Sequence, residues 1–209
     1  MVELAFLRNK ANKKISDHIC VLAHGAGAPM DSDFMNQVAE GIAQQGIEVV
    51  RFEFPYMAQR RLTGKKSPPN RAPALITHFN QVIEELGGPE VCVIGGKSMG
   101  GRMATMVATE RKVAGVFALG YPFHPAGKPD KLRTEHLPAI QSPTLILQGE
   151  RDGLGNRAEV ESYNLPQRIQ VEWLADGDHD LKPRVRSGHT HRDNISRAVD
   201  NLVSFIKTC

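Results

Sequence analysis

Residues 95–101, GGKSMGG, carry two overlapping chemical signals. Gly96-Lys97-Ser98 matches the end of a phosphate cradle, in which glycine N–H groups wrap a nucleotide's phosphates and the lysine neutralises them. Gly96-Lys97-Ser98-Met99-Gly100 matches Gly-x-Ser-x-Gly, a tight turn that presents a nucleophilic serine between a strand and a helix. The cradle requires a glycine five positions before Gly96. Val91 stands there, inside the apolar run EVCVIGG, so no loop is left to wrap a phosphate. The serine turn requires a buried strand before it and a helix after it. VCVIG leads straight in and RMATMVATE leads out with helical spacing. Glycines at 96 and 100 suit a strained turn where strand and helix approach closely. Ser98 is therefore the candidate nucleophile.

A serine hydroxyl attacks well only when a histidine takes its proton and a carboxylate orients that histidine. In the chain order that goes with this turn, the acid follows a later strand and the histidine comes last. PTLILQG is followed by ERDGLG, which places Asp152 in the first loop past a strand, with Glu150 as the rival acid. RIQVEWL is followed by ADGDHDLKPR, which places His179 in the corresponding loop. His189 and His191, in SGHTHRD, compete from further out. His18 belongs to a strand start, His78 to a helix, and His124 and His136 to a Pro-rich loop. An oxyanion needs backbone donors: one is the Met99 N–H, after the nucleophile, and the other comes from HGAG (24–27). Ala26 N–H is the expected second donor and Gly27 N–H its alternate. HTH and DHD lack a metal-ligand spacing, so no metal and no cofactor are expected.

These residues need a scaffold of strands that end at one edge. Runs at 18–24, 47–54, 90–96, 113–120, 143–149 and 168–174 read as strands, most of them buried on both faces. Runs at 33–45, 72–86, 99–110 and 191–208 read as amphipathic helices. The alternation predicts a three-layer α/β/α sandwich with a mostly parallel sheet, within a single domain spanning 1–209. VELAFL (2–7) reads as an antiparallel edge strand. PYMAQRRLTGKKSPPNR (55–71) reads as the one irregular connection, and it and 121–138 are the expected walls of the site.

Composition sets limits on partners. No apolar run approaches the ~18 residues of a membrane span, the N-terminus shows no secretory signal, and a net charge of +3 over 209 residues is too weak for a nucleic-acid partner. Three cysteines, Cys20, Cys92 and Cys209, read as free thiols, consistent with a cytoplasmic setting. Charge is uneven along the chain. Residues 51–71 hold six basic residues against Glu53 alone, and residues 182–197 hold five against Asp193. Solvated loops account for such clusters; the alternative is a positive rim for an anionic substrate, with Lys97, Arg60 and Arg61 as its binding residues. Arg102 reads as structural.

The motifs HGAGAPMDSDFM, RFEFPYM, GGKSMGGRMAT, LILQGERDGLG and DGDHDLKP give the chain a resemblance, over nearly its whole length, to the α/β-hydrolase superfamily. More narrowly it is similar to the small, capless, dienelactone-hydrolase-like group of bacterial predicted hydrolases, related to the hydrolase-like domain of an NSL chromatin-complex subunit and to a testis-expressed human protein. The resemblance implies a Ser98–His179–Asp152 triad with amides near Ala26 and Met99. It departs from dienelactone hydrolase, whose nucleophile is a cysteine, so that enzyme's substrate does not carry over. The expected function is a serine hydrolase acting on a small ester, thioester or lactone. The alternative is a non-catalytic interaction module on the same scaffold, as the binding-scaffold members of the group suggest.

Overall fold

The computed structural model describes residues 4–209. Its elements in chain order are β1 (Phe6–Asn9), β2 (Ile19–Ala23), α1 (Asp33–Gln44), β3 (Glu48–Phe52), α2 (Pro55–Thr63), α3 (Ala72–Glu85), β4 (Cys92–Lys97), α4 (Met99–Glu110), β5 (Gly115–Leu119), β6 (Thr144–Gly149), α5 (Arg157–Glu161), β7 (Ile169–Leu174) and α6 (His191–Ile206). The strands form one seven-stranded sheet in the order β1-β3-β2-β4-β5-β6-β7. Every neighbouring pair is parallel except β1 with β3.

The burial of the strands follows from helices covering both faces. β4, β5 and β6 are buried at every position, whereas the edge strand β7 alternates. Along β4, Cys92 and Ile94 enter the core shared with α3 and α4, and Val93 points into the opposite core, formed with α1 and α6. Each such aliphatic side chain contributes roughly 1.5–3 kcal/mol when fully buried.

Because β2 to β7 run parallel, their C-terminal ends lie along one edge of the sheet. From β2 the chain moves outward to β3, and from β4 it moves the other way to β5, so the winding reverses between β2 and β4. A crevice opens at such a reversal, and it is where open α/β sheets bind ligands. The loop after β2 and the turn after β4 meet there.

Three sequence expectations are corrected. The edge strand is antiparallel as expected but spans Phe6–Asn9; the expected stretch 2–7 begins at residues outside those described. Residues 55–71 are not wholly irregular, because α2 occupies Pro55–Thr63. Proline suits the first helical turn, where its missing N–H has no partner to lose, and Gly64 ends the helix at φ 70°. The short helix α5 was not expected; Asn156 and Glu159 cap it reciprocally.

Candidate active site

Ser98 stands between β4 and α4 with φ 51° and ψ −113°, a conformation that costs a non-glycine residue of order 1–3 kcal/mol. Its neighbours hold it there. Ser98 N–H donates to Leu119 C=O at 2.9 Å, and Arg102 N–H donates to Ser98 C=O at 3.0 Å as α4 begins. The turn tolerates no side chain at Gly96 or Gly100. A Cβ at Gly96 would drive into Ala23 C=O, and one at Gly100 would lie 2.6 Å from both Ala23 and His24 carbonyl oxygens. Glycine thus lets α4 press against the end of β2.

The structure brings Ser98, His179 and Asp152 together. His179 Nε2 lies 2.8 Å from Ser98 Oγ, and His179 Nδ1 lies 2.8 Å from Asp152 Oδ2. An ionised carboxylate only accepts, so Nδ1 carries the proton and Nε2 offers its lone pair to the serine hydroxyl. Asp152 is 0% exposed, and His179 retains 29% of its side-chain surface. The buried carboxylate is compensated by Gln148 Nε2–H, donating to Oδ2 at 2.9 Å, and by Leu154 N–H, donating to Oδ1 at 2.8 Å. Gln148 is itself fixed: its Oε1 accepts from Tyr121 N–H at 2.7 Å, which assigns the amide nitrogen to the Asp152 side. Sequence reasoning missed Gln148. The available signal was a lone amide in the otherwise apolar run TLILQG.

The loop carrying His179 is anchored on three sides. Asn194 Nδ2 donates to Ala175 and Leu181 carbonyls at 3.0 and 2.9 Å. Asp178 Oδ1 accepts from Asp180 and Lys182 N–H. Lys97 Nζ donates to His179 C=O at 2.7 Å and pairs with Asp180 at 3.1 Å, while Phe34 lies under the ammonium. Burial holds the Lys97 amine below its usual range, partly offset by Asp180.

The loop after β2 meets the same serine. A Cβ on Gly25 would lie 3.8 Å from Ser98 Cβ. Phe54 N–H donates to His24 Nε2 at 3.1 Å, so His24 Nδ1 carries the proton and donates to Gly25 C=O at 2.7 Å. The Tyr56 hydroxyl donates to Ala26 C=O at 2.9 Å. In a trans peptide the N–H points opposite to the C=O, so binding of Gly25 C=O to His24 frees the Ala26 N–H on the other side. Gly27 lies one residue further, in open space. Met99 N–H, at the first position of α4, has no intrahelical acceptor. His24 is fully buried, which lowers its pKa and keeps it neutral in this role.

The model of the alpha/beta hydrolase domain family matches residues 16–207. The chain belongs to that family. No curated protein matches it. Among solved structures, this alpha/beta hydrolase domain is similar to an alpha-beta serine hydrolase homologue from Coxiella burnetii (15% identity, 97% of this chain and 91% of that one, TM-score 0.70). It is also similar to a dienelactone hydrolase from Anabaena variabilis (18%, 95% and 95%, 0.66). A third is a serine hydrolase without a lid from Xanthomonas campestris (17%, 100% and 94%, 0.65). At these identities the likeness is one of fold.

The remaining expected site residues of the hydrolase domain have other partners. Glu150 accepts from Arg157 and from Asp176 N–H. His191 Nε2 binds Asp180 C=O, and His189 is exposed two residues before α6. Two of the three expected anion-binding cations, Lys97 and Arg61, are paired with carboxylates. Lys97 is committed to the His179 loop, Arg61 forks onto Glu53 at 2.6 Å and Asp31 at 2.8 Å, and half-buried Arg60 reaches only Gly27 C=O at 3.4 Å. The acids that neutralise Arg61 hold it well above the ordinary guanidinium pKa. No helix among the described residues is long and apolar enough to cross a membrane.

Proposed function

We propose that this alpha/beta hydrolase domain is a serine hydrolase that cleaves a small carboxylic ester, thioester or lactone through an acyl-enzyme. The observation that carries the reading is the unbroken relay Ser98–His179–Asp152, with 2.8 Å at each link, ending on a serine held at φ 51°. Ser98 Oγ attacks the substrate carbonyl while its proton passes to His179 Nε2. Asp152 keeps the imidazole in the right tautomer and stabilises its cation. The negative oxygen of the tetrahedral intermediate is received by Ala26 and Met99 N–H, a type of contact worth about 3–4 kcal/mol per donor. His179 then protonates the departing alcohol or thiol, and water enters with His179 as base to release the acid.

The test is labelling by a fluorophosphonate of the native protein and of Ser98→Ala. Labelling that vanishes in the variant supports the reading. No labelling of the native protein, or equal labelling of both, overturns it in favour of an interaction module. His179→Ala should abolish cleavage of short p-nitrophenyl esters and His189→Ala should not. A dead His189→Ala enzyme would mean that the base is misassigned.

A further inference from the structure

Other partly buried cations of this molecule have partners. Arg51 donates to Met30 C=O and to the Asn36 and Asn9 side chains. Arg61, Lys97 and Arg151 each meet carboxylates. Arg102 and Arg133 do not. Among the described residues no carboxylate lies within 4.0 Å of either guanidinium, and neither side chain makes a hydrogen bond; the acids of the Arg133 loop, Asp130 and Glu135, pair with neither. Arg102 Nε is buried with no partner.

The two arginines flank one knot of side chains. Thr105 Oγ1 donates to Arg102 C=O at 2.7 Å and lies 2.9 Å from His136 Nε2. The Tyr121 hydroxyl donates to Arg133 C=O at 2.8 Å, and Arg133 N–H donates to Phe123 C=O at 2.7 Å. Both backbones are thus fixed while the guanidinium ends remain free. Burial, and then the charge of Arg102, lowers the pKa of Arg133, and the same two causes push His136 down to about 4. The knot adjoins the nucleophile. Arg102 lies four residues along α4 from Ser98, just over one helical turn and a rise of about 6 Å. Tyr121 follows β5 two residues after Leu119, whose carbonyl binds Ser98 N–H.

We infer that Arg102 and Arg133 form an anion-binding subsite of the active site, so that the substrate carries a carboxylate or phosphate besides its scissile ester. The inference rests on the hydrolase reading above and names the substrate class of that same site. Two forked guanidinium groups suit either oxyanion, whose charge would relieve their repulsion and supply the missing acceptors. This replaces Lys97, Arg60 and Arg61 as the anion-binding cations and gives Arg102 a role beyond structure.

The experiment compares p-nitrophenyl hemisuccinate with p-nitrophenyl butyrate for the native enzyme, Arg102→Gln, Arg133→Gln, the double variant, and the two Arg→Lys variants. In the double variant the acidic-to-neutral ratio of kcat/KM should fall by roughly 10-fold or more, through KM, with partial rescue by lysine. Lys112→Gln, exposed beyond the C-terminal end of α4, should keep the native ratio. Calorimetric titration of succinate and of inorganic phosphate into the native protein and the double variant reads the subsite independently of turnover. Binding of either anion lost in the double variant supports the subsite, and whichever binds identifies the group. Native ester cleavage with an unchanged ratio and no Arg-dependent anion binding overturns the inference and leaves the hydrolase reading standing. Absent cleavage and absent Ser98 labelling overturn the hydrolase reading instead, and the calorimetry still decides the subsite.

Discussion

Two cation-rich regions flank the candidate active site, and they differ in how their charge is met. Around β3 and α2, Arg51 and Arg61 are surrounded by acceptors, with Glu53 only 6% exposed under the Arg61 fork. Beside α4, Arg102 and Arg133 flank the Thr105–His136 and Tyr121 contacts without a carboxylate partner. The first region is dense in basic residues along the sequence and the second is not. Charge density along a chain therefore does not report how much charge is left unmet in space, and a paired cation has little attraction left to offer.

Acid should probe both regions with the largest effect. His24 and His78 in the first and His136 in the second all have lowered pKa values, chiefly from burial. The unfolded chain takes up protons near pH 6.5 while the folded chain resists, so stability is held above that pH and lost as pH falls toward about 4. Each fully buried imidazole contributes at most about 1.4 kcal/mol per pH unit, and the partly exposed His136 less. Urea midpoints at pH 7.5 and 4.5 check this, and His136→Gln should flatten the decline. An unflattened decline would place the loss in the first region alone.

The next effect separates the regions directly. Arg61→Met strands the buried Glu53 carboxylate and should destabilise the fold by about 2 kcal/mol, discounted for the 47% exposure of Arg61. Arg102→Met should cost under about 0.5 kcal/mol or stabilise, since it removes a repulsion. Equal losses in denaturant titrations would erase the distinction. Lys97→Met removes the bond to His179 C=O and should lower kcat roughly 10-fold with KM little changed, because it loosens the base and not a substrate contact. A selective rise in KM for acidic esters would return Lys97 to the substrate. The smallest effect belongs to Arg60→Gln, whose single contact is 3.4 Å long. It should shift stability by less than about 0.5 kcal/mol and leave the acidic-to-neutral ratio at the native value.

The sheet was legible because parallel strands covered on both faces must be short runs of apolar residues, as GVFAL and TLILQG are. The candidate residues were legible because such strands deliver their loops to one edge, so position after a strand substitutes for distance. What stayed hidden has physical reasons. α2 buries only Tyr56 and Met57, too few to mark a helical stripe among its arginines. α5 is five residues long, barely more than one turn, so no period can register. The partners of Arg61 lie 8 and 30 positions away, and a local charge count sees Glu53 but never Asp31. Tyr56 and His24 hold the loop after β2 through backbone carbonyls, which no side-chain pattern announces.

The backbone of Ser98 has a consequence for stability. At φ 51° glycine sits without the penalty that serine bears, so Ser98→Gly should make a protein that is inert yet melts at a higher temperature. Mutation and stability then push the same way at this position, toward silence. Chemistry and stability thus ask for different residues at this one position, serine for the first and glycine for the second.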